Sequence, residues 1–193
     1  MSTTVPSASE QRRQRQNLDR HLDSLIRDVT DFPKPGVVFK DMTPLFADHA
    51  GFSAVINALA RFGRDADGNV VIDKVVGMEA RGFILGPPAA LALGAGFVPV
   101  RKAGKLPGPT HAVEYSLEYG EATLEIHRDA IATGERVLMI DDVLATGGTV
   151  AATAKLIDKC GGLVTAVAVL MELSFLEGRK AIGDVPLAAL RTV

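Results

Sequence analysis

Two adjacent acids followed by a turn of small residues form the part of this 193-residue chain that is best suited to bind a polar ligand. Asp141 and Asp142 come at the end of an apolar run that reads as a buried strand. Neighbouring carboxylates are costly to hold side by side unless they bind hydroxyl groups or a cation. The turn after them places two glycines between threonines at a predicted helix start, and consists of Ala145, Thr146, Gly147, Gly148 and Thr149.

The turn at residues 145–149 suits an anion, because its glycines leave backbone N–H groups unobstructed and its threonines add hydroxyl donors. The dipole of the predicted helix favours the same charge. The carboxylate pair suits the vicinal diol of a ribose, so the whole segment predicts a site for a ribose 5-phosphate. Turn formation alone would explain either the Asp141-Asp142 or the Gly147-Gly148 dipeptide. Their combination after a buried strand favours a site for a ribose 5-phosphate.

Other signatures of phosphate or metal chemistry are absent from the sequence. It has no GxxxxGK[ST] phosphate loop, no GxGxxG after a strand and no HExxH zinc motif. The histidines lack metal-ligand spacing; they are His21, His49, His111 and His127. Cys160 is the single cysteine, which excludes an internal disulfide, fits a reducing compartment and predicts a small buried thiol.

The acidic segment belongs to a part of the chain in which predicted strands and helices alternate. Before that alternation begins, an amphipathic helix is predicted at 17–29, an ordered loop at 31–46 and a second helix at 52–62. The alternating part is predicted to have strands at 73–78, 96–102, 136–142 and 163–173, helices at 82–93, 148–160 and 174–182, and an antiparallel ribbon over 115–127. This order predicts an α/β domain with a mostly parallel central sheet flanked by helices, and ligand sites at the carboxyl ends of its strands.

Composition excludes several classes of protein. The chain has 21 Lys and Arg against 23 Asp and Glu, a formal net charge of -2, so no bulk basic field would attract nucleic acid or anionic lipid. Aromatic residues make up 5%, too few for a base-stacking surface. Charged residues interrupt every apolar run before the roughly 18 residues of a membrane span. We expect a disordered tail over 1–16, one domain over 17–193, and a cytoplasmic protein without nucleic-acid or membrane partners.

Residues 137–149, VLMIDDVLATGGT, resemble the binding motif for 5-phosphoribosyl 1-pyrophosphate (PRPP) in the type I phosphoribosyltransferases. Further segments resemble the adenine phosphoribosyltransferase branch of that family: FPKPGVVFKD at 32–41, EARGFILGP at 79–87, RKAGKLPGPT at 101–110 and YSLEYG at 115–120. The resemblance extends over about residues 31–180. It implies the type I fold, with a small N-terminal hood at about 17–45 and a flexible β-ribbon lid.

The activity that the resemblance implies belongs to purine salvage. Adenine and PRPP would be converted into AMP and pyrophosphate, through an oxocarbenium-like transition state related to that of glycosidases. Mg²⁺ is the implied cofactor, bound mainly through the diphosphate and without a certain protein ligand. A homodimer is the assembly that the family implies.

The resemblance also implies which residues bind PRPP. Asp141 and Asp142 would hold the ribose hydroxyls and place negative charge near the developing cation, while residues 145–149 would anchor the 5-phosphate. Arg81 would contact the diphosphate and serve catalysis. The diphosphate and its lid would further involve Arg101, Lys102, Lys105 and Tyr119.

Adenine recognition is implied for the early apolar loop. Phe39 would stack on the purine, and the backbone groups of Val38 and Lys40 would read its Watson–Crick edge, for which hypoxanthine presents the opposite pattern. Many relatives have arginine where this chain has Lys40, a change of little consequence if the contact is through the backbone. Glu118 would be the acid or base near adenine N7, with Tyr119 orienting it.

Two alternative functions stay open on sequence grounds. A regulatory protein could bind PRPP without turnover, but such proteins usually carry a DNA-binding module, and the residues before the core predict one helix and a tail. A phosphoribosyltransferase for a 6-oxopurine or a pyrimidine is the other alternative. The segment PGVVFKD at 35–41 argues against it.

Overall fold

The computed structural model describes residues 7–116 and 121–193. It divides the chain into two compact units, Met1–Ala58 and Leu59–Val193. The first unit is larger than the hood expected at about 17–45. The carboxylates and the 145–149 turn lie in the second unit, whereas the residues expected to bind adenine lie in the first.

The first unit begins with a helix that is longer than predicted. Helix α1 spans Ala8–Leu25, and a capping box starts it: Glu10 N donates to Ser7 Oγ, and Ser7 N donates to Glu10 Oε2. Residues 8–16 are therefore helical, where the sequence predicted a disordered tail, because this cap and the Gln- and Arg-rich turns after it favour helix without an apolar stripe. Residues 1–6 of the expected tail lie outside the described residues.

The end of the predicted helix and the predicted loop both differ from expectation. Strand β1, Arg27–Thr30, pairs antiparallel with β2, Val38–Asp41, because β-branched side chains after Leu25 favour extended backbone. Helices α2, Thr43–Ala47, and α3, His49–Ala60, follow. The predicted loop is confirmed for residues 31–37. It was wrong for 38–46, because β2 and α2 are too short to show a clear hydrophobic period.

The second unit is built on a mixed sheet with strand order β5-β6-β4-β3-β7-β8-β9. The pairs from β4 through β9 in that order are parallel, and β6 pairs antiparallel with both β4 and β5. The strands are β3 Lys74–Met78, β4 Gly96–Lys102, β5 Thr110–Ser116, β6 Glu121–His127, β7 Arg136–Leu144, β8 Leu163–Glu172 and β9 Leu187–Thr192. The helices are α4 Gly82–Leu93, α5 Gly148–Lys159 and α6 Arg179–Ile182, with 3-10 turns at Arg61–Gly63 and Ser174–Leu176. The predicted α/β class, parallel sheet and antiparallel ribbon are confirmed.

Helices cover the central strands, as the apolar runs predicted. Val137 and Met139 of β7 belong to the same buried cluster as Leu156 and Ile157 of α5. The alternating residue Leu138 points to the opposite face by the pleat of the strand and is fully buried too. Helix α4 packs against β3, β4 and β7. Strand β7 is therefore buried on both faces, and its carboxyl end carries the polar residues.

The C-terminal part differs from the predicted closing helix at 174–182. A 3-10 turn and the one-turn α6 replace it, because Glu177 adopts a left-handed backbone conformation (φ 53°) that ends the first turn. Strand β9 was not predicted. Its Leu- and Ala-rich sequence has weak strand propensity, and the parallel pairing with β8 supplies what local preference lacks.

Candidate active site

The carboxyl end of β7 places Asp141 and Asp142 side by side in the second unit. Both are buried, with 8% and 4% of their surfaces exposed. The backbone N–H of Asp142 donates to Asp141 Oδ1 at 2.9 Å. Arg81 Nε lies 2.5 Å from Asp142 Oδ2, so one guanidinium faces two adjacent buried carboxylates. The pair is thus an incompletely compensated negative site, which favours a ligand that supplies hydroxyl donors or positive charge.

The electrostatics of the pair follow from its burial. Burial raises the pKa of Asp141 well above its usual range, and the neighbouring charge of Asp142 adds to the shift. Burial also raises the pKa of Asp142, although the positive charge of Arg81 opposes that shift. A carboxylate pair held at such cost is typical of a functional site rather than of a structural one.

The turn after the acids has the form expected of an anion site. Gly147 has a φ of 82°, in the left-handed region that favours glycine, and it precedes α5 without giving a side-chain cap. The first N–H groups of this twelve-residue helix therefore point out of the helix start. Thr149 Oγ1 lies 3.4 Å from the hydroxyl of Tyr115 on β5, so the ribbon contacts the turn directly.

Arg81 reaches Asp142 because α4 starts very close to β7. A Cβ atom at Gly82 would lie 2.9 Å from Ile140 O and 3.2 Å from Asp141 Oδ1. Only glycine permits this approach without displacement, so Gly82 sets the distance between Arg81 and the acids. This role of Gly82 was not predicted, although the spacing Arg81-Gly82 at the start of a helix is visible in the sequence.

The other predicted cations gather around one carboxylate at the ends of β3 and β4. Glu79 Oε2 accepts from Arg101 Nε at 3.3 Å and from the backbone N–H of Lys102 at 3.0 Å. Glu79 Oε1 accepts from Lys105 Nζ at 3.0 Å. Because β4, β3 and β7 are adjacent and parallel, their carboxyl ends share one edge of the sheet. The structure therefore brings Arg81, the three lid cations and the acids to that edge.

The residues predicted to bind adenine form part of the first unit. Val38, Phe39 and Lys40 lie on β2 rather than in a loop. Phe39 packs edge-on against Phe32 with ring centroids 5.1 Å apart, and Lys40 Nζ donates to Asp28 Oδ1 at 2.7 Å. Val38 is half exposed. Their predicted roles stay predictions.

Glu118 and Tyr119 lie outside the described residues, and their predicted roles also stay predictions. The strands that lead to them, β5 and β6, pair from Thr110 with His127 to Ser116 with Glu121. In the part of the chain that the structure describes, no group of three or more His, Cys, Asp or Glu residues could hold a metal ion. Within 7–116 and 121–193, no helix has the length and apolarity to cross a membrane.

Comparison with known proteins gives one consistent family. The model of the phosphoribosyl transferase domain matches residues 45–185. The adenine phosphoribosyltransferase of Nocardioides sp. is 66% identical over 170 residues, which cover 88% of this chain and 92% of that protein.

Solved structures give the same result. The adenine phosphoribosyltransferase of Thermoanaerobacter pseudethanolicus superposes with a TM-score of 0.84 at 46% identity, over 90% of this chain and 99% of that one. That of Saccharomyces cerevisiae, solved with an iminoaltritol bisphosphate and adenine, gives a TM-score of 0.85 at 39% identity, over 93% and 99%. Together with the buried acids, the glycine turn and the mostly parallel sheet, these matches show that the chain belongs to the adenine phosphoribosyltransferases, within the phosphoribosyl transferase domain family.

Proposed function

We propose that this chain transfers the phosphoribosyl group of PRPP to adenine, yielding AMP and pyrophosphate. The observation that carries the proposal is the buried, incompletely compensated pair Asp141–Asp142 directly before an uncapped helix start. In the reaction, adenine N9 forms a bond to the anomeric carbon, the bond from that carbon to the diphosphate oxygen breaks, and the N9 proton is released.

The acids and the turn bind the sugar phosphate. Hydroxyls 2 and 3 of the ribose donate to Asp141 and Asp142, which offsets the cost of their burial. Their negative charge stabilises the oxocarbenium-like sugar as the leaving group departs. Residues 145–149 hold the 5-phosphate through backbone N–H groups and the hydroxyls of Thr146 and Thr149. Because the 5-phosphate is anchored, the anomeric carbon is held in position for the reaction.

Cations from the ends of β3 and β4 receive the diphosphate. Arg81 lies next to the acids and can contact both the ribose side and the leaving group. Arg101, Lys102 and Lys105 start the segment toward the ribbon, where Gly104 and Gly108 have positive φ and the chain is free of helix. The part of this segment beyond Lys105 can close over the diphosphate and exclude water, which suppresses hydrolysis of PRPP.

Mg²⁺ is the proposed cofactor. It prefers oxygen ligands and usually binds through one or two carboxylates plus substrate phosphates. Asp141 and Asp142, two adjacent buried carboxylates that share the single guanidinium of Arg81, would fit such an ion. When bound, Mg²⁺ neutralises charge on the diphosphate, which improves it as a leaving group.

Adenine selection is assigned to Val38, Phe39 and Lys40, with Glu118 and Tyr119 acting on the proton at N7. Phe39 stacks on the purine, the backbone of Val38 and Lys40 reads its N1 and N6 edge, and Glu118 holds or moves a proton at N7, with Tyr119 orienting it. A mismatched buried polar edge costs about 1–3 kcal/mol per group. Hypoxanthine is therefore expected to be a poor substrate.

A homodimer in the cytoplasm is the proposed working form. Two apolar side chains seven residues apart are exposed on the same face of helix α4. Ile84 is 40% accessible and Leu91 is 83% accessible in the single chain. Exposed apolar residues at that spacing support a protein interface on this helix. Light scattering coupled to size exclusion tests the stoichiometry.

The experiment that tests the function measures pyrophosphate release from PRPP and Mg²⁺ with adenine, hypoxanthine, guanine or orotate offered separately. Release with adenine alone, coupled to AMP formation and weakened by Glu118→Ala, is the expected result. Release with another base would overturn the assignment of Val38, Phe39 and Lys40. Binding of PRPP without release with any base would make the chain a regulatory protein.

A further inference from the structure

Glu79 is the carboxylate around which the lid cations assemble, and the roles above leave it unused. It follows β3 directly, and 9% of its side chain is exposed. Both carboxylate oxygens are occupied: Oε1 by Lys105 Nζ, and Oε2 by Arg101 Nε and the Lys102 backbone N–H. Three donors from the segment 101–105 thus converge on a single half-buried acid.

Arg101 is held more firmly than its contact with Glu79 alone would require. Its Nη1 donates to the Lys105 carbonyl at 3.2 Å, and its guanidinium carbon lies 6.0 Å from the ring centroid of Phe83. The Arg101–Lys105 turn is therefore closed on itself and fastened to β3 through Glu79. An ion pair with several fixed partners is more than a solvated surface contact.

The charge state of Glu79 agrees with this arrangement. Burial alone would raise the pKa of Glu79, but the hydrogen bonds from Lys105 and Lys102, with the charge of Lys105, outweigh burial and lower it. The carboxylate is therefore ionised at neutral pH. Arg101, Lys105 and Glu79 together therefore carry a net positive charge.

Glu79 could either position Arg101 and Lys105 for phosphate or compete with phosphate for their N–H donors, and the number of donors distinguishes the two roles. A guanidinium has five N–H donors and an ammonium has three. Glu79 takes one donor from Arg101 and one from Lys105, so most donors of both groups stay available for phosphate oxygens. Glu79 can fix the direction of these cations without using up their capacity.

We propose that Glu79 is a positioning residue that pre-organises Arg101 and Lys105 for the diphosphate of PRPP. The proposal rests on the proposed function, which makes these cations diphosphate ligands. Without the negative charge, the two long side chains and the Lys102 backbone lose their common anchor, and binding must order them anew. Loss of the Glu79 charge should therefore weaken binding of the PRPP diphosphate and leave adenine binding unchanged.

The test compares Glu79→Gln with Glu125→Gln. Glutamine at 79 keeps the size and an acceptor for Lys102 N–H but loses the charge. Glu125 is the matched control, because its Oε2 also accepts from the same segment, from Gly104 N at 3.0 Å. Calorimetric titration with Mg²⁺ and pyrophosphate gives Kd, and steady-state rates give KM for PRPP and adenine separately.

We expect Glu79→Gln to weaken pyrophosphate binding and raise KM for PRPP by about tenfold, a change of about 1.4 kcal/mol, with KM for adenine within twofold of wild type. Glu125→Gln is expected to stay within twofold for all three constants. Glu79→Asp, which keeps the charge on a shorter arm, is expected to lie between wild type and Glu79→Gln. If Glu79→Gln does not fold, the same measurements are made on Glu79→Asp.

A double-mutant cycle with Lys105→Met sharpens the result. If Glu79 acts through Lys105, the second substitution costs less in the Glu79→Gln background than in wild type. Additive losses, equal pyrophosphate affinity in Glu79→Gln, or tighter binding, as expected for a competing anion, would each overturn the inference. If the wild-type protein binds neither PRPP nor pyrophosphate, the proposed function itself fails, which is distinguishable from these outcomes.

Discussion

Gly147 and Gly178 pack backbone against backbone, so closely that a Cβ atom on Gly147 would overlap the Gly178 carbonyl oxygen. A Cβ atom on Gly178 would in turn overlap the carbonyl oxygen of Ala145. The chain at 178 therefore supports the turn at 145–149 from outside the site. Glu172, whose carboxylate accepts from Nε and Nη2 of Arg179 at 2.6 and 2.7 Å, fastens that support to the end of β8.

Substitution of Gly147 distinguishes the cost of its left-handed backbone from the cost of overlap with Gly178. Gly147→Ala is expected to cost about 1–2 kcal/mol for its left-handed conformation and about 1–3 kcal/mol more for the overlap, with KM for PRPP raised at least about tenfold. Gly134→Ala is the control, because Gly134 has a φ of 84° but open space around it. Thermal unfolding and PRPP kinetics check both variants, and equal effects at the two positions would contradict the role of the Gly178 contact.

Asp141→Asn is expected to stabilise the fold while abolishing PRPP binding. The raised pKa of Asp141 means that the native state binds its proton more tightly than the unfolded chain. Its ionisation therefore opposes folding, and the stability it contributes when protonated is lost as pH rises above about 3.9, its usual pKa. Asparagine removes that charge, retains an oxygen for Asp142 N–H, and should raise stability at neutral pH by about 1 kcal/mol.

The gain should grow as pH rises above about 3.9, the usual pKa of an aspartate, as followed by thermal unfolding. Asp142→Asn is the comparison, since it also removes a charge but sacrifices the ion pair with Arg81, and its gain should be smaller. A lower melting temperature for Asp141→Asn than for wild type at neutral pH would refute the prediction.

Asp73→Asn should alter stability without altering activity. Asp73 accepts from Arg136 N at 2.8 Å, Nε at 3.0 Å and Nη2 at 2.9 Å, and these bonds lower the pKa of Asp73 to about 2. The contact joins the starts of β3 and β7, at the edge of the sheet opposite the site. Its contribution is present above the usual pKa of about 3.9 and is lost as pH falls toward 2.

The melting temperature of Asp73→Asn is therefore expected to lie below that of wild type at pH values above the usual pKa of about 3.9. The difference should shrink as pH falls toward 2. Melting curves across this range and PRPP kinetics at neutral pH provide the check. A difference that widens on acidification, or a changed KM for PRPP, would contradict this assignment.

Tyr115→Phe tests the contact between the ribbon and the phosphate turn. Loss of the hydroxyl 3.4 Å from Thr149 Oγ1 is expected to cost about 0.5–1.5 kcal/mol, which raises KM for PRPP roughly two- to tenfold and leaves KM for adenine unchanged. Thr149→Ser, which keeps the hydroxyl, is the control with little expected effect. An unchanged KM for PRPP in Tyr115→Phe would show that the contact does not support the turn.

Features that depend on neighbouring residues could be predicted from the sequence alone. Asp141, Asp142 and the 145–149 turn are contiguous, so their chemistry could be inferred before any fold was known. The alternation of apolar runs gave β3, α4, β4, β7, α5 and β8 close to their observed bounds, because burial on both faces leaves a clear period or an unbroken apolar run. Short elements such as β2 and α2, and the weak edge strand β9, lack such a signal.

Contacts between residues far apart in the chain could be identified only from the fold. Glu79 holds Lys105 across 26 positions, and Tyr115 meets Thr149 across 34; no local period encodes either pairing. The parallel order β4-β3-β7 brings Arg81 and the lid cations to the acids, and the contact of Gly178 with Gly147 supports the turn. Burial, which raises the pKa of Asp141, likewise depends on packing, because the free energy of a charge depends on the whole surrounding volume rather than on its neighbours in sequence.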